Sequence, residues 1–390
     1  WLDKEIEMSW MREYVKKSDC GLTVLQTSGD AVKTILFCEE QFLKGKNVRP
    51  QFPGRNVGMM FGLESSLHPF IGHPSYREIA DLPLSERVKI MKDPAFKEKL
   101  LNEKPNFASE IEKSMNEQGN TKSQEEIKEA ANLGLKLISN YDTQFILGDP
   151  PNYEPGKEDS IAALAKSKGI AELEVIYDEF LKNEGTNLVY ACFTPYDNHK
   201  LDFVERAYSL KSSVAGGSDG GAHCGLICDA SMPTTNLSHW ARDREAGKKI
   251  PIELIVRKQT KDTAETYGLF DRGEIKTGML ADLNIIDFEK LNVTHPKMVY
   301  DLPLGGRRLI QTSSGYLATV KSGEVVYEAG EATGVLPGKL IRGKQTCEVK
   351  TEKERVPFID RTLRLMSVKA FKLLWNFRKS SVKTTVVSDD

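Results

Sequence analysis

The stretch Gly216-Gly217-Ser218-Asp219-Gly220-Gly221-Ala222-His223 places a carboxylate and an imidazole among residues with almost no side chain, directly after the apolar pair Val214-Ala215. Glycine permits the left-handed backbone of a sharp turn and lets a substrate approach the main chain closely. Read as a strand ending near Asp219, the stretch delivers an acid to the rim of a parallel sheet, where (β/α) barrels carry their chemistry. A Gly-rich Ser-Asp-Gly also fits a surface turn capped by its own Asp, and these eight residues leave both readings open.

Working outward, Cys20–Gln26 (CGLTVLQ) reads as a buried strand, 29–44 as an amphipathic helix and Val48–Phe52 as the next strand, together one βαβ unit. The alternation then breaks. Residues 85–141 are charged and helical in pattern, with Glu110, Lys113 and Glu117 spaced for a solvated face, and are expected to form an insertion. Downstream, helices are expected over 234–246, where His239 and Trp240 adjoin Arg242 and Arg244, and over 252–267 behind Pro251. From Gly273 the pattern is β. Asp282–Phe288 reads as a strand, and Tyr316–Val320 and Glu324–Tyr327 as a hairpin turning at Lys321-Ser322-Gly323.

Composition sets bounds without choosing a function. The 390 residues can bury a large core, and 54 Lys and Arg against 56 Asp and Glu give a net charge of −2. No global field therefore argues for nucleic acid or an anionic membrane. No apolar run approaches the roughly 18 residues of a membrane span, no signal-peptide layout opens the chain, and a cytoplasmic location is expected. Cys20, Cys38, Cys192, Cys224, Cys228 and Cys347 are scattered, as free thiols in a reducing compartment would be. Cys224-x-x-x-Cys228 has no second pair at zinc-finger spacing, and small buried cysteines are the expected reading.

Asp219–Ser231 (DGGAHCGLICDAS), His239-Trp240-Ala241-Arg242-Asp243-Arg244, Arg272-Gly273-Glu274-Ile275 and Gly278-Met279-Leu280-Ala281-Asp282-Leu283 together resemble the amidohydrolase superfamily, in its N-acyl-D-amino-acid deacylase (D-aminoacylase) branch. Arg49-Pro50-Gln51, Gly62-Leu63-Glu64, His68-Pro69-Phe70, Pro74–Ala80 and Asn152-Tyr153-Glu154-Pro155 are similar to the same branch. The resemblance runs from about residue 10 to 343. It implies an α/β fold: a partial TIM-like barrel made of its last strands, over 1–272, with a helical insertion at about 70–200. The carboxyl-terminal half of a small β-sandwich would follow over 273–343. Cys20–Gln26 and Val48–Phe52 would be the sixth and seventh strands and Ser213–Asp219 the eighth.

The activity implied is zinc-assisted hydrolysis of a linear, non-peptide amide in an N-acyl-D-amino acid or similar compound. In such chemistry bound Zn²⁺ brings the pKa of its water to about 7. By resemblance Asp219 would accept the water's proton and pass it to the leaving amine. His223 would steady the oxyanion, hold Asp219, or be a histidine hydrogen-bonded in the wall. Ser218 reads as a turn residue, since no Gly-x-Ser-x-Gly elbow surrounds it. Tyr76, Arg77 and Tyr153 are candidates for shaping specificity. Arg307 and Arg308 are read either as orienting a substrate carboxylate or as structural ion-pair residues.

The chain departs from its branch in its metal ligands. Relatives carry His-x-His on a first strand and further ligands on middle strands, whereas this sequence has no His-x-His and six histidines in all: His68, His73, His199, His223, His239 and His295. The metal residues are therefore left unassigned, and the chain is expected to correspond to a carboxyl-terminal portion whose zinc is not fully ligated by its own residues. The second reading is a non-catalytic polypeptide that works through another chain. Residues 358–379 support it, since Ile359, Leu363, Met366, Leu373 and Phe377 alternate with Arg361, Arg364, Lys369, Lys372, Arg378 and Lys379. Such a basic amphipathic helix suits a partner chain, a membrane surface or the protein's own apolar surface.

Overall fold

The computed structural model describes residues 4–26, 32–107, 123–194, 196, 199–221 and 223–343. The basic segment at 358–379, Cys347, and Glu110, Lys113 and Glu117 lie outside the described residues. The fold is mixed α/β, built from several small sheets, and no closed barrel forms among the described residues.

Three strands form a parallel sheet in the order β1 (Leu22–Leu25), β2 (Val48–Pro53), β6 (Val214–Gly216). In register, Leu22 faces Val48, and Gln51 faces Val214. These are the three strands read from the sequence. The helix Val32–Leu43 connects β1 to β2 and packs Phe37 and Cys38 against Val48. The helix Lys4–Lys17 adds Met8, Met11 and Val15 to the same cluster. Asp202–Ser209 and Ile252–Gln259 supply Phe203, Val204, Tyr208 and Ile255 to the larger core around Phe52 and Trp240.

The segment between β2 and β6 contains helices, as the charged pattern suggests, together with strands that the pattern did not suggest. It contains an antiparallel sheet in the order β3 (Val57–Phe61), β5 (Val189–Thr194), β4 (Gln144–Ile146). Helices over Pro74–Ile79, Leu84–Met91, Pro94–Asn102, Gln124–Ile138, Ile161–Lys168 and Glu172–Phe180 accompany this sheet. Phe61, Phe70, Tyr76, Tyr177 and Phe180 fill the core between them. β3 is a five-residue apolar run interrupted by Gly58, where a Cβ would strike the Tyr190 ring and the Ala191 carbonyl of its partner strand. That glycine is what lets the two strands pack closely.

The helix Met232–Ser238 continues as a π-helical turn through His239–Asp243. The segment expected as one helix over 252–267 is two, Ile252–Gln259 and Lys261–Thr266, broken at Thr260 (φ −116°, ψ −84°). Beyond these lies a four-stranded antiparallel sheet in the order β14 (Glu331–Ala332), β13 (Glu324–Glu328), β12 (Tyr316–Lys321), β7 (Leu283–Ile286). Two smaller pairs accompany it, β9 (Lys297–Leu302) with β10 (Gly306–Ile310) and β8 (Asn292–Val293) with β11 (Ser313–Ser314). The β12–β13 hairpin turns at Ser322 (φ 53°) and Gly323 (φ 85°), the two left-handed positions that a tight hairpin requires.

Candidate functional site

Because β1, β2 and β6 are parallel, their carboxyl ends share one edge of the sheet. Gln26 extends the ladder past β1 by donating its backbone N–H to the Gln51 carbonyl (2.7 Å). Gly216 ends β6 opposite Pro53, and a Cβ there would collide with the Gln51 side chain. Positive φ angles then recur at every second residue: Gly217 (79°), Asp219 (36°), Gly221 (94°) and His223 (46°). Two of these are not glycine, so the chain holds an acid and an imidazole in a backbone region that side chains disfavour. Both side chains are exposed, and neither hydrogen-bonds a described residue, so His223 does not hold Asp219.

After His223 the loop is fixed by its main chain. The His223 carbonyl accepts from the N–H groups of Leu226 (2.8 Å) and Ile227 (2.9 Å). Met60 N–H donates to the Leu226 carbonyl, Ser66 N–H to Gly225 and Leu309 N–H to Cys224. The segment thus bridges β3 to β10. A Cβ at Gly225 would meet the Ser66 hydroxyl, which would have to turn away.

Two buried charge networks stand behind the loop. Arg55, two residues past β2 and fully buried, donates to Asp229 (3.0 Å), the Cys228 carbonyl (2.9 Å) and Thr235 (3.2 Å), with its guanidinium 3.6 Å from the centre of the Tyr153 ring. Burial pushes the Asp229 carboxyl above its ordinary range, Arg55 pulls it part of the way back, and the Asp219 charge adds to the upward push. In the second network Glu154 accepts from His239 Nε2 (2.8 Å) and from Arg244 Nε (2.9 Å) and Nη2 (3.0 Å), while Arg244 also donates to Glu205 (2.6 Å). Burial works to raise the Glu154 carboxyl, but the hydrogen bonds from His239 and Arg244 outweigh it and bring its pKa down to about 2. Arg55 lies in none of the motifs read from the sequence, and only its long-range contacts identify it.

Other sequence candidates fall elsewhere. Tyr76 and Tyr153 are buried, Tyr76 at 2% exposure, so neither forms the surface of an open specificity pocket. Arg77 is exposed. Arg308 pairs with Asp301 (2.7 Å), the ion-pair reading of the two, and Arg307 is exposed beside Tyr300. His68 and His73 do not form a pair of ligands. The Phe70 N–H donates to His68 Nδ1 (3.2 Å), and His73 Nδ1 lies 3.0 Å from the Leu100 carbonyl. Burial, with Arg87 and Arg307 nearby, lowers the His68 pKa to about 3, so its ring is neutral at physiological pH.

Residues 152–327 match the amidohydrolase family model, and over that stretch the chain carries an amidohydrolase family domain. It takes in Asp219, Asp229 and both partners of the Glu154 network. Among solved structures the chain is similar to a D-aminoacylase described for its binuclear metal centre (15% identity, TM-score 0.39, 84% of this chain and 52% of that one). It is similar also to a D-aminoacylase described as defining a novel subset of amidohydrolases (14%, 0.33, 80% and 54%). The chain spans about half the length of these solved relatives. No curated protein matches it.

The family is metal-dependent, and the described residues do not fit a metal: no three His, Cys, Asp or Glu side chains lie together where an ion would be held. His239 is committed to Glu154, His199 Nε2 lies 2.7 Å from the Asp142 carbonyl and His295 Nδ1 lies 2.9 Å from the Pro296 carbonyl. No helix among the described residues is long and apolar enough to cross a membrane.

Proposed function

We propose that this chain supplies the strand-end carboxylate and the surrounding wall of a site that hydrolyses the amide of an N-acyl-amino acid, with N-acyl-D-amino acids the first class to test. The observation that carries the proposal is Asp219. It follows the carboxyl end of β6, sits in left-handed backbone and lies inside the amidohydrolase family match. An exposed carboxylate at that edge can accept a proton from an attacking water and return it to the departing amine. His223, four residues on, would donate to the developing oxyanion. Since the described residues offer no metal donor set, these roles are argued from the two side chains alone.

The three parallel strands are read as part of a barrel, with the antiparallel unit around β3, β4 and β5 beside it. The test is release of free amino acid from N-acetyl-D-amino acids by the 390-residue chain, with and without added zinc. Absence of turnover in both conditions sinks the proposal. A second reading, a chain that acts by association, is favoured by one observation. The sheet of β7, β12, β13 and β14 leaves Ile285, Leu317 and Tyr327 about half exposed.

A further inference from the structure

We propose that Arg55 is a positioning residue for Asp219, acting through Asp229; the proposal rests on the reading of Asp219 as the reacting carboxylate. Asp219 has no hydrogen bond of its own among the described residues, so its place is set by the two ends of the loop that carries it. The near end is fixed where Gly216 pairs with Pro53 on β2. The far end is anchored first by the main-chain bonds that His223, Cys224, Gly225 and Leu226 accept, and directly behind them by Arg55, which leaves the same strand two residues later and clamps Cys228, Asp229 and Thr235 at once. The end of β2 therefore bears on both sides of the loop, through Pro53 before it and through Arg55 behind its main-chain anchors.

The chemistry of the clamp is specific to arginine. Its planar fork donates to a carboxylate, a carbonyl and a hydroxyl from fixed directions, while the Tyr153 ring packs against its face. A lysine ammonium in the same place is a single point charge and cannot span the three acceptors. Releasing the Arg55 clamp loosens the segment from Cys224 to Asp229 behind the turn, and with it the position of Asp219. Misplacing a catalytic group by about 1 Å can cost around a hundredfold in rate.

The experiment compares wild type, Arg55→Met and the double variant Arg55→Met with Asp229→Leu, all in the full chain. The single variant strands a buried carboxylate, and the double variant removes both charges, an exchange that buried ion pairs often tolerate. Thermal melting, kcat and KM for an N-acetyl-D-amino acid, and hydrogen exchange at the Leu226 and Ile227 amides are read for each. The double variant is expected to melt within a few degrees of wild type, yet to keep kcat down by about tenfold or more with KM within about threefold. Its Leu226 and Ile227 amides are expected to exchange about tenfold faster. Wild-type kcat, or wild-type exchange at those amides, in the double variant overturns the proposal. If the wild-type chain hydrolyses no N-acyl-amino acid, the functional reading fails separately, and the exchange rates alone decide whether Arg55 holds the loop.

Discussion

At the scale of single residues, the chemistry is divided between side chains that face water and side chains that never do. Asp219 and His223 were legible in the sequence because glycines crowd around them, and the structure places both in the backbone that those glycines announce. Arg55 was not legible, because its partner Asp229 lies 174 residues away in the chain and no spacing links the two. Glu154 and His68 make the acid response predictable. The Glu154 carboxyl, ordinarily near 4.5, falls to about 2 in the fold, so the unfolded chain takes up that proton first. Its contribution is therefore complete above about pH 4.5 and lost as pH falls through 2, and Glu154→Gln is expected to remove about 3 kcal/mol at neutral pH. His68 drops from 6.5 to about 3, so stability declines from about pH 6.5 downward as the unfolded imidazole binds a proton that the buried ring refuses. His68→Gln keeps an acceptor for the Phe70 N–H and should flatten unfolding free energy between pH 5 and 6.5, as measured by urea titration; an unchanged slope contradicts this.

At the scale of elements, period-two apolar runs bounded by turns were readable and long-range pairings were not. β1, β2 and β6 stood out as apolar segments next to helix-patterned or glycine-rich text, and the Ser322-Gly323 turn marked the β12–β13 hairpin. β3, β4 and β5 were missed because they are short and pair across a stretch rich in helix formers, where local propensity says nothing about the partner. The break at Thr260 falls between Lys258 and Asp262, which pair across it. Lys258 turns its ammonium to the carbonyls of Leu210 (2.6 Å) and Ser213 (2.7 Å), pinning the entry to β6, and lies 3.2 Å from Asp262. The bridge from β3 through 224–226 to β10 passes the Ser66 hydroxyl at Gly225. Gly225→Ala is expected to cost about 1–3 kcal/mol by overpacking against the Ser66 hydroxyl, and Ser66→Gly in the same chain should return part of it. Equal melting temperatures for wild type and Gly225→Ala would show that the contact relaxes freely.

At the scale of the whole molecule, two large cores and one smaller one carry the packing, and the sheet of β7, β12, β13 and β14 lies at their margin. Ile286 and Tyr316 reach the core from that sheet, while Ile285 is 51% exposed and Leu336, just beyond β14, is 92% exposed. Large apolar side chains left exposed in this way promote association. Ile285→Thr with Leu336→Ser is expected to reduce self-association in sedimentation velocity while changing stability by no more than about 0.5 kcal/mol. A large loss of stability would mean that these side chains belong to the packed interior. Chemistry at the edge where β6 ends is tested by amide hydrolysis with wild type and Asp219→Asn at matched folded concentration. Asparagine keeps the shape and the tolerance for left-handed backbone but cannot take the proton. The account predicts turnover of an N-acetyl-D-amino acid by wild type, a loss of about a hundredfold or more in kcat for Asp219→Asn, and equal melting temperatures. Equal turnover by the two proteins would contradict it.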